Sequence, residues 1–258
     1  MAGPPDSLIS ALIDRGLVSG VEWHEIVTST NEVAADAIAR GVREIHAVVA
    51  DEQIAGRGRL GRTWHAPSGT SLICSLVLRP MVSSDVLGLI PLLTGLALVE
   101  AVDAFHPGLD AALKWPNDLL LQGRKAGGVL VEAGQGGAVI VGIGVNVDWR
   151  AVDRPPGVSD ATSLAEAMGW GADRWDVLAT LITAFAARYR GWHLQPIGFL
   201  PDYTRRCATI GRPVRVTTLN GPAISGRAAD IARDGALVIS SPYGAITKIT
   251  AGDVEHVR

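Results

Sequence analysis

The stretch from Ala112 to Val147 reads ALKWPNDLLLQGRKAGGVLVEAGQGGAVIVGIGVNV and decides the class of fold. Its pattern is strand, turn, strand, turn, strand, with turns near Gln122-Gly123 and Gly134–Gly137 and a nearly all-apolar last strand from Ala138. Short apolar runs separated by glycine-containing turns are typical of antiparallel strands joined by hairpins. The stretch therefore predicts an antiparallel meander, and with it an α+β fold with a mixed or antiparallel sheet rather than a doubly wound parallel one.

Helices and further strands are predicted before and after this meander. Apolar periodicity places strands at Val21–Val27, His46–Ala50 and Ser71–Leu78, and helices at Asp6–Leu17, Ser29–Arg40, Ser84–Phe105, Ser163–Met168, Asp173–Trp192 and Pro196–Arg206. Ser29-Thr30-Asn31-Glu32 has the spacing of a capping box, in which Ser29 caps the helix and Glu32 reaches back to it. Pro91 is expected to interrupt the helical stretch that contains it. These helices are expected to flank the sheet.

The chain changes character after Cys207, where short strands alternate with turns. The predicted strands are Pro213–Thr217, Ala223–Asp230, Ala236–Ser240 and Ala245–Thr250, with turns at Asn220-Gly221, Asp234-Gly235 and Tyr243-Gly244. A segment of about fifty residues with this pattern predicts a small β-barrel. We therefore divide the chain into a main domain, 1–206, and a C-terminal barrel, 207–258.

Composition excludes several classes of protein. The chain has 258 residues, of which 48% are hydrophobic, and this is enough for a packed core. Its net charge of −3 argues against nucleic acid as the principal partner. Cys74 and Cys207 have no metal-like or disulfide-framework spacing, so a reducing cytoplasm is the expected compartment. Met1–Ser7 lacks the pattern of a secretory signal, and the apolar stretch Val86–Val102 is interrupted by glycine, proline and glutamate, which predicts a buried helix rather than a membrane span.

The loop Gln53–Trp64 combines glycines with arginines. Gly56, Gly58 and Gly61 permit close approach of the backbone to a ligand, and Arg57, Arg59 and Arg62 can converge on an anion. The three glycines match the dinucleotide fingerprint, but no apolar helix follows them and Leu78-Arg79-Pro80 stands where an acidic ribose ligand is expected. A surface loop with incidental arginines is the remaining alternative. The loop is thus interpreted as an anion-binding segment.

Three further positions could carry chemistry. Lys114-Trp115-Pro-Asn117-Asp118 ends a strand with an unusual polar set, although Pro-Asn-Asp is also ordinary turn sequence and Trp115 could be core. Lys125 precedes a Gly-Gly pair and could face a cleft or solvent. Asn146 interrupts an apolar strand and needs a hydrogen bond from the backbone or a ligand. The sequence contains no Walker A motif, zinc-type His-Cys cluster or nucleophile elbow, so the substrates are expected to supply both nucleophiles.

Taken in order, these motifs resemble those of biotin protein ligases. The resemblance covers about residues 25 to 150 through Ser29-Thr30-Asn31, Gly56–Trp64, Lys114–Asp118, Lys125–Glu132 and Gly142–Asn146, and extends to the barrel through Asp234-Gly-Ala-Leu237. It implies a main domain related to class II aminoacyl-tRNA synthetases and an SH3-like C-terminal barrel. It also implies the activity: biotin and ATP form biotinyl-adenylate, and biotin passes to a lysine of the carrier domain of acyl-CoA carboxylases.

The resemblance also implies roles for individual residues. Biotin is expected to meet Ser29, Thr30, Asn31, Gln53, Arg57, Gly58, Arg59 and Lys125, and the nucleotide to meet Arg59, Arg62, Trp64, Lys114, Asn117 and Asn146. Lys125, bridging the biotin carboxylate and the α-phosphate, and Arg59 are the expected catalytic residues. Trp115 is expected to help wall the adenylate site. Mg²⁺ is the expected activator, with Asp118 near it.

Two alternatives remain open from the sequence. A lipoate or octanoate ligase would share the fold and the chemistry, whereas the arginine-rich loop and Lys114–Asp118 favour biotin. A biotin-sensing DNA-binding regulator is the other. Only 28 residues precede Ser29, fewer than a winged helix needs, so neither a repressor arm nor a nucleic-acid or membrane partner is expected. The sequence predicts no oligomeric state.

Overall fold

A computed structural model describes residues 3–155, 157–218 and 221–257. The strands are β1 (Gly20–Val27), β2 (His46–Gln53), β3 (Ser71–Leu78), β4 (Ala111–Lys114), β5 (Asp118–Leu121), β6 (Arg124–Ala133), β7 (Val139–Asn146), β8 (Pro213–Thr217), β9 (Ile224–Ile231), β10 (Leu237–Ser240), β11 (Ile246–Ile249) and β12 (Asp253–His256). The α-helices are α1 (Asp6–Asp14), α2 (Thr30–Ala39), α3 (Ile90–Phe105), α4 (Leu164–Met168), α5 (Arg174–Leu194) and α6 (Leu200–Arg206).

The first seven strands form one mixed sheet in the order β1-β2-β3-β7-β6-β5-β4. Strands β1 and β2 are parallel, and every other neighbouring pair in this sheet is antiparallel. The run β4-β5-β6-β7 is the meander on which the fold prediction rested. The α+β class with a mixed sheet and flanking helices is confirmed.

Alternation along the central strands gives the sheet two different faces. In β3, Leu72, Cys74 and Leu76 belong to the large core that contains α3 and α5, whereas Val77 packs with α2 on the opposite face. Successive side chains of a strand point to opposite sides, so Ser75 also faces the α2 side. The sheet therefore has an apolar face covered by α3 and α5 and a second face that leaves room beside α2.

Strands β8 to β12 form a separate five-stranded sheet, in the order β11-β10-β9-β8-β12. All of its pairs are antiparallel. The sequence predicted four of these strands to within a few residues and missed β12. The predicted turn at Asn220-Gly221 falls in part outside the described residues, because 219 and 220 are not among them.

Several predicted local features differ from the structure. The meander was predicted as three strands but has four, because residues 115–117 form a turn that separates β4 from β5. Lys114 ends β4, as predicted, and pairs with Asp118 across this turn. Ser29 occupies the N-cap of α2 but makes no capping-box bond. Instead the Thr30 N–H donates to Oε1 of Gln53 on β2, at 2.8 Å. The capping-box prediction was wrong because a side chain distant in sequence satisfies this helix end.

The helical stretch Ser84–Phe105 is divided as the proline suggested. A 3-10 segment, Ser84–Leu89, precedes α3, and Pro91 stands in the first turn of α3. By length and composition alone, Ser84–Phe105 is one stretch within the described residues that could cross a membrane. Leu92, Leu93 and Leu96 of α3 are each at most 2% exposed within the core of the main domain. The prediction of a buried helix is confirmed.

Candidate active site

One cavity of about 510 Å³ lies on the α2 side of the seven-stranded sheet. Its walls come from the start of α2, the glycine- and arginine-rich loop after β2, strands β6 and β7, and the segment before α4. The lining includes Ser29, Thr30, Asn31, Gln53, Arg57, Gly58, Arg59, Arg62, Trp64, His65, Asn117, Asp118, Lys125, Gly128, Gly142, Gly144, Asn146, Trp149, Val158, Ala161 and Asp253. Polar and apolar side chains thus line the same cavity, which is partly open to solvent.

Glycines on the sheet make room for two of the lining side chains. A Cβ on Gly144 would stand 2.5 Å from the indole ring of Trp64, and one on Gly142 would clash with Oδ1 of Asn31. Gly128, paired with Gly144 across β6 and β7, lies close to the same indole. The glycines therefore allow the Trp64 ring and the Asn31 amide to lie directly on the sheet.

A hydrogen-bonded cluster occupies the α2 end of the cavity. The Thr30 hydroxyl donates to Gln53 Oε1 at 3.1 Å, and the buried Ser75 hydroxyl lies 2.8 Å from Thr30 Oγ1 and 2.6 Å from Asn31 Oδ1. The amide of Asn31 donates to Oε2 of Glu132 at 2.5 Å. These mutual bonds hold several small polar groups in fixed positions, an arrangement that suits a ligand with its own donors and acceptors.

The loop arginines point to different partners. Arg57 Nη2 lies 3.3 Å from Glu132, and Arg59 Nη1 donates to Oδ1 of Asn117 at 3.1 Å. Burial lowers the pKa of Arg59, although an arginine stays charged in proteins. Arg62 forms a two-pronged pair with Asp253, and that hydrogen bond raises its pKa. Three guanidinium groups thus stand around one cavity.

Lys125 and Asp118 face each other inside the cavity. The distance from Lys125 Nζ to Asp118 Oδ1 is 2.6 Å, with Lys125 at the start of β6 and Asp118 at the start of the neighbouring β5. The Asp118 side chain is 17% exposed and that of Lys125 43% exposed. The ammonium is therefore held in place by the carboxylate while part of it remains open to a bound anion.

Two buried polar atoms of the cavity lining have no hydrogen-bond partner among the described residues. These are Oδ1 of Asn146 and Nε1 of Trp64. The Nδ2 group of Asn146 donates to the carbonyl of Thr162 at 2.9 Å, which fixes the amide. Buried polar groups are nearly always satisfied, so one acceptor and one donor here are free to meet a ligand.

Within the described residues, no group of three or more histidine, cysteine, aspartate or glutamate side chains could hold a metal ion. Asp118 and Asp253 are the carboxylates of the cavity lining, and each faces a cation. A magnesium ion with one or two protein carboxylates and several phosphate ligands would fit this donor set better than a resident all-protein site.

Comparison with known proteins decides the family. A family model described as Biotin/lipoate A/B protein ligase family matches residues 23–148, and one described as Biotin protein ligase C terminal domain matches residues 209–257. The biotin--[acetyl-CoA-carboxylase] ligase of Mycobacterium tuberculosis is 34% identical over 257 residues, covering 96% of this chain and 95% of the relative. The chain belongs to the biotin protein ligase family.

Other members of the biotin protein ligase family agree in sequence and in fold. The bifunctional ligase/repressor BirA of Bacillus subtilis is 35% identical over 241 residues, covering 90% of this chain and 73% of that protein. A solved structure of the biotin protein ligase from Aquifex aeolicus in complex with biotin and ATP has a TM-score of 0.81 and 30% identity. That match covers 92% of this chain and 98% of the solved one.

The structure brings nearly all of the predicted site residues of this ligase family member together. Ser29, Thr30, Asn31, Gln53, Arg57, Gly58, Arg59, Arg62, Trp64, Asn117, Asp118, Lys125 and Asn146 all line the cavity. Lys114 is not part of the lining. Trp115, expected as a wall of the adenylate site, is instead 2% exposed in the core, and its Nε1 donates to the carbonyl of Gly235. It lies in the turn after β4, where its backbone N–H donates to the Thr209 hydroxyl at 3.1 Å, and these two hydrogen bonds fix its position.

Three residues of the site were not predicted from the sequence. Ser75 orders Thr30 and Asn31, Glu132 bonds to Asn31 and Arg57, and Asp253 pairs with Arg62. Each of them lies more than forty positions from the residues it contacts. Alternation along β3 is the one sequence signal that marks Ser75, because it places this serine on the face opposite Leu72 and Leu76.

Proposed function

We propose that this chain activates biotin with ATP as biotinyl-adenylate and transfers the biotin to a lysine of a biotin carrier domain of an acyl-CoA carboxylase. The proposal rests on the Lys125–Asp118 pair, at 2.6 Å, which lines the same cavity as the hydrogen-bonded cluster of α2 and the arginine loop. The relative from Mycobacterium tuberculosis bears the name of this activity, and the solved Aquifex aeolicus ligase binds biotin and ATP.

In the first step, a biotin carboxylate oxygen bonds to the α-phosphorus of ATP, and the bond to the bridging oxygen of pyrophosphate breaks. Pyrophosphate leaves with the bonding electrons. The two reacting groups are both anions, and their repulsion is strong in a site shielded from water. Lys125 bridges the carboxylate and the α-phosphate, while Arg59 and Arg62 offset the charge of the phosphates. Preorganised cations of this kind stabilise charge that develops in the transition state.

Biotin and nucleotide are assigned to opposite ends of the cavity. The polar head of biotin meets Ser29, Thr30, Asn31 and Gln53, whose hydrogen-bonded cluster supplies donors and acceptors. The nucleotide meets Trp64, Asn117 and Asn146, and the free Oδ1 of Asn146 accepts a donor from it. Lys114 lies outside the lining, so any contribution it makes is through the turn that carries Asn117 and Asp118.

In the second step, the neutral amine of the carrier lysine attacks the acyl carbon of biotinyl-adenylate. An amide bond forms, the carbon–oxygen bond of the anhydride breaks, and AMP leaves with the electron pair. The amine nitrogen loses one proton, and we assign its acceptance to Asp118, a carboxylate of the cavity lining that lies 2.6 Å from Lys125 Nζ. Proton transfer by a positioned carboxylate of this kind is ordinary general base catalysis.

The loop with Arg57, Gly58 and Arg59 closes over the adenylate. Glycines permit the movement, and arginines that gain a phosphate ligand favour the closed state. Exclusion of water matters here because hydrolysis of the mixed anhydride would waste ATP.

Magnesium fits this site as an ion carried by ATP. Phosphate oxygens would hold most of its coordination positions, with Asp118 as the protein carboxylate. When bound, it would neutralise phosphate charge.

We also propose the finer architecture that the resemblance implied. The mixed sheet with its ligand cavity on one face supports a relationship to class II aminoacyl-tRNA synthetases, and the five short antiparallel strands support an SH3-like barrel. The boundary between 1–206 and 207–258 is supported by the end of α6 at Arg206 and by the C-terminal family match that begins at 209.

The proposal is tested by the intact mass of a biotin carrier domain after incubation with this protein, ATP and Mg²⁺. Biotin and lipoate are supplied in parallel reactions, because the matching family model covers ligases of both acids. The expected result is one added biotin per carrier, dependent on ATP. Addition of lipoate alone would contradict the biotin assignment, and addition of neither would contradict ligation.

A further inference from the structure

Glu132 contacts both the hydrogen-bonded cluster of α2 and the arginine loop, although it is not one of the residues that line the cavity. It lies on β6, and its Oε2 accepts from Nδ2 of Asn31 at 2.5 Å and from Nη2 of Arg57 at 3.3 Å. We propose that Glu132 is a positioning residue for biotin recognition, which fixes the orientation of the Asn31 amide and ties Arg57 of the closing loop to it. This inference rests on the proposed function, since it assigns Asn31 to the polar head of biotin.

The two ends of the Asn31 amide have different partners, and these partners fix its orientation. An asparagine amide can rotate by half a turn, which exchanges a donor for an acceptor at nearly the same place. A carboxylate can only accept, so the Nδ2 end must face Glu132. At the other end, Ser75 Oγ lies 2.6 Å from Oδ1 of Asn31 and donates to it. Glu132 and Ser75 together therefore select one of the two orientations.

This selected orientation determines what the ligand meets. Asn31 is 4% exposed and lines the cavity, with one N–H and one oxygen lone pair left after its bonds to Glu132 and Ser75. Rotation of the amide would exchange the places of the free N–H and the free lone pair. A ligand that buries a polar group without its hydrogen-bond partner binds with lower affinity. Loss of Glu132 should thus weaken biotin binding even though it removes no direct contact with biotin.

The chain provides a matched control for the contact with Arg57. Glu32 lies 3.7 Å from Nη1 of the same arginine but makes no hydrogen bond to Asn31 that the structure records. Its side chain is 49% exposed, against 35% for Glu132. If only the charge around Arg57 mattered, removal of either glutamate would have a similar effect.

The experiment measures the dissociation constant for biotin by titration calorimetry and the KM values for biotin and ATP, for the full chain. Glu132→Ala is expected to raise the biotin Kd and KM about tenfold, the scale of one charge-assisted hydrogen bond. The KM for ATP should stay within about twofold, because the residues to which we assign the nucleotide have no contact with Glu132. Glu132→Gln, whose Oε1 can still accept from Asn31, should restore most of the biotin affinity. Glu32→Ala should leave it within about twofold of the wild type.

The inference is overturned if Glu132→Ala binds biotin as the wild type does, if Glu32→Ala weakens binding equally, or if Glu132→Gln gives no rescue. Should Glu132→Ala lack a cooperative unfolding transition, Glu132→Thr replaces it, since threonine is suited to a strand but too short to reach Asn31. A wild-type chain that binds no biotin at all would instead contradict the proposed function. The two failures are therefore distinguishable.

Discussion

The ammonium of Lys125 lies 2.6 Å from the carboxylate of Asp118, across the neighbouring strands β5 and β6. A carboxylate at this distance restricts the lysine to one region of the cavity and leaves its remaining donors for other anions. The same carboxylate is the group to which we assign the proton that the carrier lysine loses when it attacks. The pair therefore joins the two steps of the proposed reaction.

Asp118→Asn should affect the second step more than the first. The asparagine oxygen can still accept a hydrogen bond from Lys125 and contact an ATP-bound Mg²⁺, whereas it is a far weaker proton acceptor. We expect the rate of biotin transfer to fall about a hundredfold, which is the lower end of the range for loss of a general base. The measurement is single-turnover transfer from purified biotinyl-adenylate to the carrier domain. Equal loss in adenylate formation and in transfer would contradict the assignment of Asp118 as the base.

Arg59→Gly should weaken retention of biotinyl-adenylate. Arg59 is half-buried in the loop, and this burial lowers its pKa, so its interaction with a phosphate is less screened by water than that of the exposed Arg62. The released adenylate should then label lysines on bystander proteins, which is read by blotting for biotin on added albumin. Arg62→Gly provides a comparison at a more exposed position of the same loop. A variant Arg59→Gly that labels the carrier alone would contradict this role.

The loop should become resistant to trypsin when biotin and ATP are bound. Trypsin cleaves after Arg57, Arg59 and Arg62, and closure would shield these bonds. Asp253 of the C-terminal sheet pairs with Arg62. Asp253→Asn should therefore speed cleavage without ligand and leave the protection by ligand intact. Unchanged cleavage on addition of both substrates would contradict closure of the loop.

His256 should make the stability of the protein depend on pH. Burial, with Lys114 and Arg212 nearby, lowers its pKa from 6.5 to about 4, and its Nε2 lies 3.1 Å from the Thr209 hydroxyl. Between these pH values the unfolded chain binds more protons at this position than the folded one, so stability falls as the pH decreases from 6.5 to 4. The melting temperature of His256→Gln should show a smaller decrease over this range. Parallel curves for the two proteins would contradict the assignment.

Sequence patterns predicted the parts of the site that are local in the chain. Glycines next to arginines marked the loop around Arg59, and Lys125 was marked by its position before a Gly-Gly pair. The meander was predictable because its turns contain glycine. These signals lie within short windows, where spacing and conformational preference are enough.

Contacts between distant segments could not be predicted in the same way. Gln53 caps α2 from the end of β2, and the acidic and polar Asp253–His256 became strand β12 by pairing with β8. Trp115 was expected at the ligand because it stands inside a motif, but its hydrogen bonds to Thr209 and Gly235 hold it in the core. In each case tertiary pairing, which a single sequence does not show, outweighed the local signal.

The most direct test of the central claim is the yield of biotinyl-adenylate in the absence of carrier. Wild-type protein is mixed with biotin, ATP and Mg²⁺, quenched in acid, and the adenylate is quantified by mass spectrometry, with Lys125→Ala in parallel. We expect up to one adenylate per wild-type chain and a rate at least about a hundredfold lower for Lys125→Ala, as for loss of one preorganised charge. Equal rates for the two proteins, or no adenylate from the wild type, would contradict it.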